Sequence, residues 1–191
     1  MPLLEKAFAK YCGSYRTLVA GHPTRGLSYL TGGMAIRMPL EKSQIQNFEA
    51  QKYNFFSYLS NNYQRICCCT STMMRPDQNT EKDHEVVAPN GLVYNHAYSL
   101  LTAVTVTNKK GKTINMLKIR NPWNKRTNSK LSAEWKGDWA RRSKLWNTLE
   151  DQDRAEMAFD EGEFWMAYRD WTKFFRVIDI CYPPSYFVAV F

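Results

Sequence analysis

Long apolar runs are missing from this chain of 191 residues. No stretch of about 18 consecutive apolar residues occurs, so no membrane-spanning helix is expected. The opening residues, Met1-Pro2-Leu3-Leu4-Glu5-Lys6, lack the basic-then-apolar order of an export leader, which leads to the expectation of a cytoplasmic protein. Histidine is scarce, with three residues, and the five cysteines, Cys12, Cys67, Cys68, Cys69 and Cys181, contain no C-x2-C pair. That spacing argues against structural zinc. Three of the cysteines are adjacent, and neighbours along a strand point to opposite faces, so disulfides are not expected either. Acidic residues are also in short supply, 18 against 26 Lys and Arg, for a formal net charge of +8. The deficit is concentrated between Lys109 and Lys144, where Glu134 and Asp138 are the only acids. A field of this kind can mark a nucleic-acid surface. Here the basic residues are spread over a hairpin tip and a loop, without a recognition helix or motif. They read as a solvated basic face, and no nucleic-acid partner is expected.

What is present suits one packed domain: 44% hydrophobic residues and six tryptophans in 22.3 kDa. Leu4, Phe8 and Tyr11 fall at helical spacing before Gly13, which predicts a short opening helix. Gly21 to Gly33 is rich in glycine, threonine and proline and reads as a loop leading to a strand near Met34–Met38. Residues 43–64 carry a helical period, Ile66–Thr72 suits a buried strand, and Arg75–Asn90 reads as an exposed loop. Helices are expected over Asp151–Ala158 and Ala167–Phe175, and a strand over Val177–Tyr182. Pro183-Pro184 then closes a domain of residues 1–185, followed by a tail at 186–191.

The segments Tyr94–Thr107 and Thr113–Arg120 flank Asn108-Lys109-Lys110-Gly111, a turn composition that predicts an antiparallel hairpin. If those four residues form the loop, Thr107 faces Lys112 and paired positions sum to about 219. Asn121 then lies opposite Tyr98, two residues from His96, and residues two apart share a face. His96 and Asn121 should therefore emerge together at the open end of the hairpin. This expectation depends on loop parity, since a three-residue loop would put them on opposite faces.

A histidine beside an asparagine is two thirds of a Cys-His-Asn site. The imidazole lowers the pKa of a neighbouring thiol and returns the proton to a leaving amine, while the carboxamide fixes the ring plane. Pro122 restricts Asn121 to extended backbone, and Trp123 can cover the hydrogen bond from water. Taken singly, each of these residues has an ordinary structural explanation; their pairing across the hairpin is what points to chemistry.

With these residues in place the chain resembles a known family. Pro2-Leu3-Leu4-Glu5-Lys6-Ala7, Gly13-Ser14-Tyr15, Thr31-Gly32-Gly33, His96-Ala97-Tyr98-Ser99, Arg120-Asn121-Pro122-Trp123 and Glu161-Gly162-Glu163-Phe164-Trp165-Met166 are similar to the second half of the calpain protease core. The resemblance implies an α+β fold, an antiparallel-sheet-rich papain-like half-domain with a few peripheral helices. It also implies catalytic roles for His96 and Asn121, a shielding role for Trp123, polypeptide substrates and a partner half-domain bearing the nucleophilic cysteine. It further implies calcium bound through Glu134, Glu161 and Glu163. Arg141, however, stands where an aspartate ligand is expected, and a guanidinium cannot ligate calcium. Asn95 and Asn124 replace glycines usual in the family. The family's glycine-rich QG-x-x-GDCW-type nucleophile motif has no counterpart in the chain; Cys12-Gly13-Ser14 lies too close in sequence to His96 to replace it. Two readings follow: a calpain-like endopeptidase half that supplies His and Asn, or a non-catalytic, protease-derived binding or regulatory module.

Overall fold

The computed structural model describes residues 2–18, 21–41, 54–72, 86–123 and 134–188. The parts of the expected elements at 43–53, 75–85 and 124–133 lie outside them. In chain order the elements are α1 (Pro2–Tyr11), α2 (Pro23–Thr31), β1 (Met34–Pro39), α3 (Phe55–Asn62), β2 (Cys67–Thr72) and β3 (Ala97–Thr107), followed by β4 (Thr113–Arg120), α4 (Asp151–Glu156), β5 (Glu163–Ala167), α5 (Tyr168–Phe174), β6 (Phe175–Tyr182) and α6 (Pro184–Val188). Short 3-10 turns occupy Tyr15–Leu18 and Lys144–Thr148.

The strands form one sheet in the order β1-β6-β2-β3-β4-β5, with every neighbouring pair antiparallel. This is the α+β, antiparallel architecture expected. Both faces of its β4–β5 side are covered, because adjacent strand residues point to opposite sides. Leu117, Ile119, Phe164 and Met166 pack with Phe55 and Leu59 of α3 and Trp171 of α5. Met116, Trp165 and Ala167 pack with Trp139, Trp146 and Leu149. Covering on both faces explains why periodicity alone did not reveal β5: all five of its residues are buried, so there is no alternation to detect.

The segment read as a loop before β1 contains α2. Its punctuating residues are the helix's own signals, with Pro23 in the first turn and Gly32 as a left-handed cap at φ 69° whose N–H donates to Ser28 O at 2.9 Å. The three consecutive cysteines serve as packing only in part, since Cys68 is buried, Cys69 half-buried and Cys67 exposed. Beyond Pro183, Tyr186 of α6 packs against the main core.

Residue counting along the β3–β4 hairpin differs from the simple expectation at both ends. Partners sum to 220, not 219, from Thr107↔Thr113 to Thr102↔Lys118. The tip therefore joins the strands through Asn108–Lys112, one residue more than expected. An odd loop by itself would separate His96 and Asn121. Between Thr102 and Leu100 the register shifts, leaving Leu101 as an extra residue on β3, and partners sum to 219 at Leu100↔Ile119 and Ser99↔Arg120. This β-bulge restores at the open end the parity that the tip removes. The buried positions show the same switch, with Tyr98 and Leu100 inward before the bulge and Ala103 inward after it.

Inserting one alanine between Leu100 and Leu101 adds a residue that the one-residue bulge does not absorb and should turn Tyr98 and Leu100 out of the core. The expected loss is roughly 3–6 kcal/mol from two large side chains, measured by denaturant unfolding. Leu101→Ala, which keeps the residue count, should cost no more than about 1 kcal/mol at this half-exposed position. Equal losses for the two variants would refute the parity role.

Candidate active site

His96 lies immediately before β3 and Asn121 immediately after β4, and both are about 5% exposed. Their side chains meet as expected: His96 Nε2 and Asn121 Oδ1 are 2.9 Å apart. The same Oδ1 accepts the Trp123 N–H at 3.0 Å. Only the oxygen end of a carboxamide can accept a backbone N–H, so the atom facing the imidazole is an acceptor and His96 Nε2 must carry the hydrogen. In the neutral ring Nδ1 is then the basic nitrogen.

The ring is clamped on its flanks. Trp123 tilts against it with centroids 4.8 Å apart, and Tyr98 meets it edge-on at 4.9 Å. The main chain of His96 is fastened to β2: its N–H donates to Thr72 Oγ1 at 3.2 Å, and its C=O accepts the Thr72 N–H at 3.1 Å. Thr72 Oγ1 in turn donates to Val93 O at 2.6 Å. Asn95, directly before the histidine, adopts φ 55°, a left-handed value that asparagine tolerates better than most residues. Asn121 is held from the other side, its N–H donating to Gly162 O at 3.0 Å. Gly162 has φ 75°, and a Cβ there would stand 2.9 Å from Asn121 O. Sequence reading missed Thr72 and Gly162 as supports. Thr72 gave no signal, while Gly162 was visible only as part of the Glu161-Gly162-Glu163-Phe164-Trp165-Met166 motif.

Three of the thiols have properties opposite to those of a nucleophile. Burial of Cys68 and Cys69, and partial desolvation of the Cys67 sulfur in an otherwise exposed residue, push these thiols up, that of Cys69 to about 11, where a reactive cysteine needs a depressed value. Cys181 is fully buried on β6.

The acidic residues implied as calcium ligands do not converge. Glu134 and Glu161 line one cavity together with Arg141 and Asp160, and Glu163 is not part of that lining. Glu163 Oε2 instead meets Lys118 Nζ at 2.7 Å and accepts the Asp160 N–H at 3.0 Å. Arg141 Nη2 donates to Asp160 O at 2.9 Å, and its guanidinium lies over the Phe159 ring. Among the described residues no group of three or more His, Cys, Asp or Glu is placed to hold a metal ion. A hard cation needs six or more oxygens, and a guanidinium and an ammonium already hold the Asp160 carbonyl and the Glu163 carboxylate, so this donor set as arranged does not fit calcium.

A buried imidazole held by a carboxamide on an antiparallel sheet has the geometry of the acid–base and orienting members of a Cys-His-Asn hydrolase. The chain matches the family model described as "Calpain family cysteine protease" over residues 1–182. It belongs to that family of proteases. It is 32% identical over 182 residues to Calpain-9 of Rattus norvegicus, 33% over 186 residues to Calpain-A of Drosophila melanogaster and 31% over 183 residues to Calpain of Schistosoma mansoni. Each match covers 94% of this chain but 24%, 20% and 22% of the relative, so the chain spans about a fifth to a quarter of their length.

Two predictions follow from the acidic side of the site. Burial raises the pKa of Glu163, but the Lys118 hydrogen bond, the Asp160 amide and the charges of Lys118 and Arg120 outweigh it and hold the carboxyl below its ordinary value. Ionised Glu163 therefore stabilises the fold above its unfolded-state pKa, and that contribution disappears as pH falls through the folded-state value. Lys118→Met removes the largest lowering influence and leaves the Asp160 amide and Arg120 against burial. The gain in stability as pH rises through the carboxylate range should then shrink, with a loss of roughly 2 kcal/mol at neutral pH, below that of a fully buried pair because Lys118 reaches solvent. Urea titrations across acid pH will show whether the slope flattens. Excess calcium should leave the melting temperature of the chain unchanged, and a saturable rise in calorimetry would overturn the reading of the donor set.

Proposed function

We propose that this chain is the His/Asn half of a calpain-type cysteine endopeptidase and acts on polypeptides with a thiol delivered by a separate, cysteine-bearing half-domain. The observation that carries the reading is the 2.9 Å His96–Asn121 hydrogen bond, whose polarity is fixed by the Trp123 amide on the same oxygen. With Nε2–H committed to Asn121, Nδ1 takes the proton of the incoming thiol. The resulting thiolate attacks the scissile carbonyl carbon, the carbonyl electron pair moves to oxygen, and the tetrahedral adduct collapses as Nδ1–H protonates the departing amine. A water then attacks the acyl thioester, giving its proton to Nδ1, and the thiol is regenerated. Asn121 holds the ring plane through both transfers without adding charge, and Trp123 and Tyr98 keep the pair dry.

The isolated chain should show no peptidase activity, and no cysteine should be labelled rapidly by an active-site thiol probe. Covalent extension with the cysteine-bearing half should restore cleavage. His96→Ala should then lower kcat by about 10³-fold, and Asn121→Ala by about 10²-fold with little change in KM. Restored cleavage that survives His96→Ala, or rapid labelling of Cys12 that requires His96, would overturn the assignment.

A further inference from the structure

The far end of the β3–β4 hairpin, about 30 Å from His96 by the usual strand rise, carries a groove of about 770 Å³. Its floor is apolar, formed by Ile114, Trp139, Leu145 and Ala167. Lys109, Lys110, Lys112 and Arg169 line it as well. Arg169 is paired with Asp138 at 3.0 Å. The three lysines are exposed and form no ion pair among the described residues, so the groove keeps three uncompensated positive charges.

These charges are not on a frayed tip. Asn108 Oδ1 accepts the N–H groups of Lys110 at 3.0 Å and Lys112 at 2.8 Å. The Lys109 N–H donates to Thr148 O at 2.8 Å, and Asn108 bridges to Leu149, which fastens the turn to the 3-10 segment that supplies Leu145. The backbone that presents the lysines is therefore ordered before anything binds, and a ligand has only the lysine side chains to restrain.

We propose that this groove is a docking site for an acidic peptide segment carrying one apolar side chain. That side chain sits over Ile114 and Leu145, and the carboxylates on either side of it meet Lys109, Lys110 and Lys112. The charge calls for an anionic partner. The floor selects a peptide over a nucleic acid, because Trp139 is only 4% exposed and Tyr168 is packed against Phe56 and Trp171, leaving no open ring face for base stacking. Exposed ion pairs contribute little singly and are screened by salt, so the apolar contact must supply a substantial share of the affinity. The site lies away from His96 and does not rest on the proposed peptidase role.

The test is fluorescence anisotropy on the 191-residue chain with a labelled peptide bearing glutamates on both sides of one leucine. Saturable binding is expected, weakened about tenfold by combined Lys109→Glu, Lys110→Glu and Lys112→Glu, and about fivefold when serine replaces the leucine of the peptide. The reversed variant, whose folding is checked by thermal unfolding, should bind a peptide with lysines in place of the glutamates. Absence of saturable binding, undiminished binding to the reversed variant, indifference to the leucine, or tighter binding of a single-stranded oligonucleotide than of the peptide would each overturn the proposal.

Discussion

The hydrogen bond between His96 and Asn121 depends on a bulge that takes one extra residue out of the β3–β4 ladder. A side-chain pair across a hairpin forms only if both members face the same way, and in a sheet the facing alternates with every residue. With a five-residue tip, a regular ladder running through Leu101 would put this pair on opposite faces, and the bulge at Leu101 corrects that. The correction falls between two parts of the core. On the site side of the bulge, Tyr98 and Leu100 are buried with Phe164 and Phe175; beyond it, Ala103 continues the same face and Val106 joins the opposite cluster. The bulge is therefore held by apolar burial on both sides.

Around that pair each support has a separate task. Asn121 Oδ1 serves two donors, His96 Nε2 and the Trp123 amide, so its amide orientation is decided by the backbone before the imidazole is considered. Thr72 fastens the histidine's main chain to β2, and Gly162 fastens the asparagine's to the turn before β5. Three strands and two turns thus converge on one donor–acceptor contact. Near the Gly162 turn, Glu163 takes its countercharge from Lys118 on β4, and Arg141 ties down the Asp160 carbonyl. Protein cations, one ion-paired to a carboxylate and one bonded to a carbonyl, order this loop.

Much of this was legible in the sequence because it is written in local patterns. The opening helix, the β3–β4 hairpin and the H-A-Y and R-N-P-W motifs all come from spacing and turn composition, and they were enough to bring His96 and Asn121 together. The count that brought them together contained two errors that cancel: a tip one residue longer than expected and a bulge not expected at all. Neither has a local signature, because Asn108–Lys112 is a plausible turn at either length and Leu101 is one apolar residue among several. α2 was hidden by its own caps, with Pro23 and Gly32 reading as loop residues when the helix between them is short. β5 was hidden by burial on both faces. Thr72 and Gly162 act through backbone groups, which a list of side chains does not display. The Lys118–Glu163 pair joins β4 to β5, and a strand that was not recognised could not suggest its partners.

The same hairpin carries chemistry at one end and uncompensated charge at the other, and the two ends are unequally sensitive to change. Substitutions at the exposed tip alter charge without altering the number of residues between His96 and Asn121, and sites this far apart with no shared partner behave independently. Insertions or deletions are different, because each one changes facing along the whole ladder until another irregularity restores it. Only the stretch from Thr102 to Thr107 and its partners can absorb a change at the tip before it reaches the bulge. The tip is also pinned to Thr148 and Leu149, which links its length to the Trp139–Trp146 cluster and not to the site alone. Residue number at the tip is therefore constrained from two directions while the identity of the three lysines is constrained from neither, and lysines at these places are compatible with every structural requirement of the site.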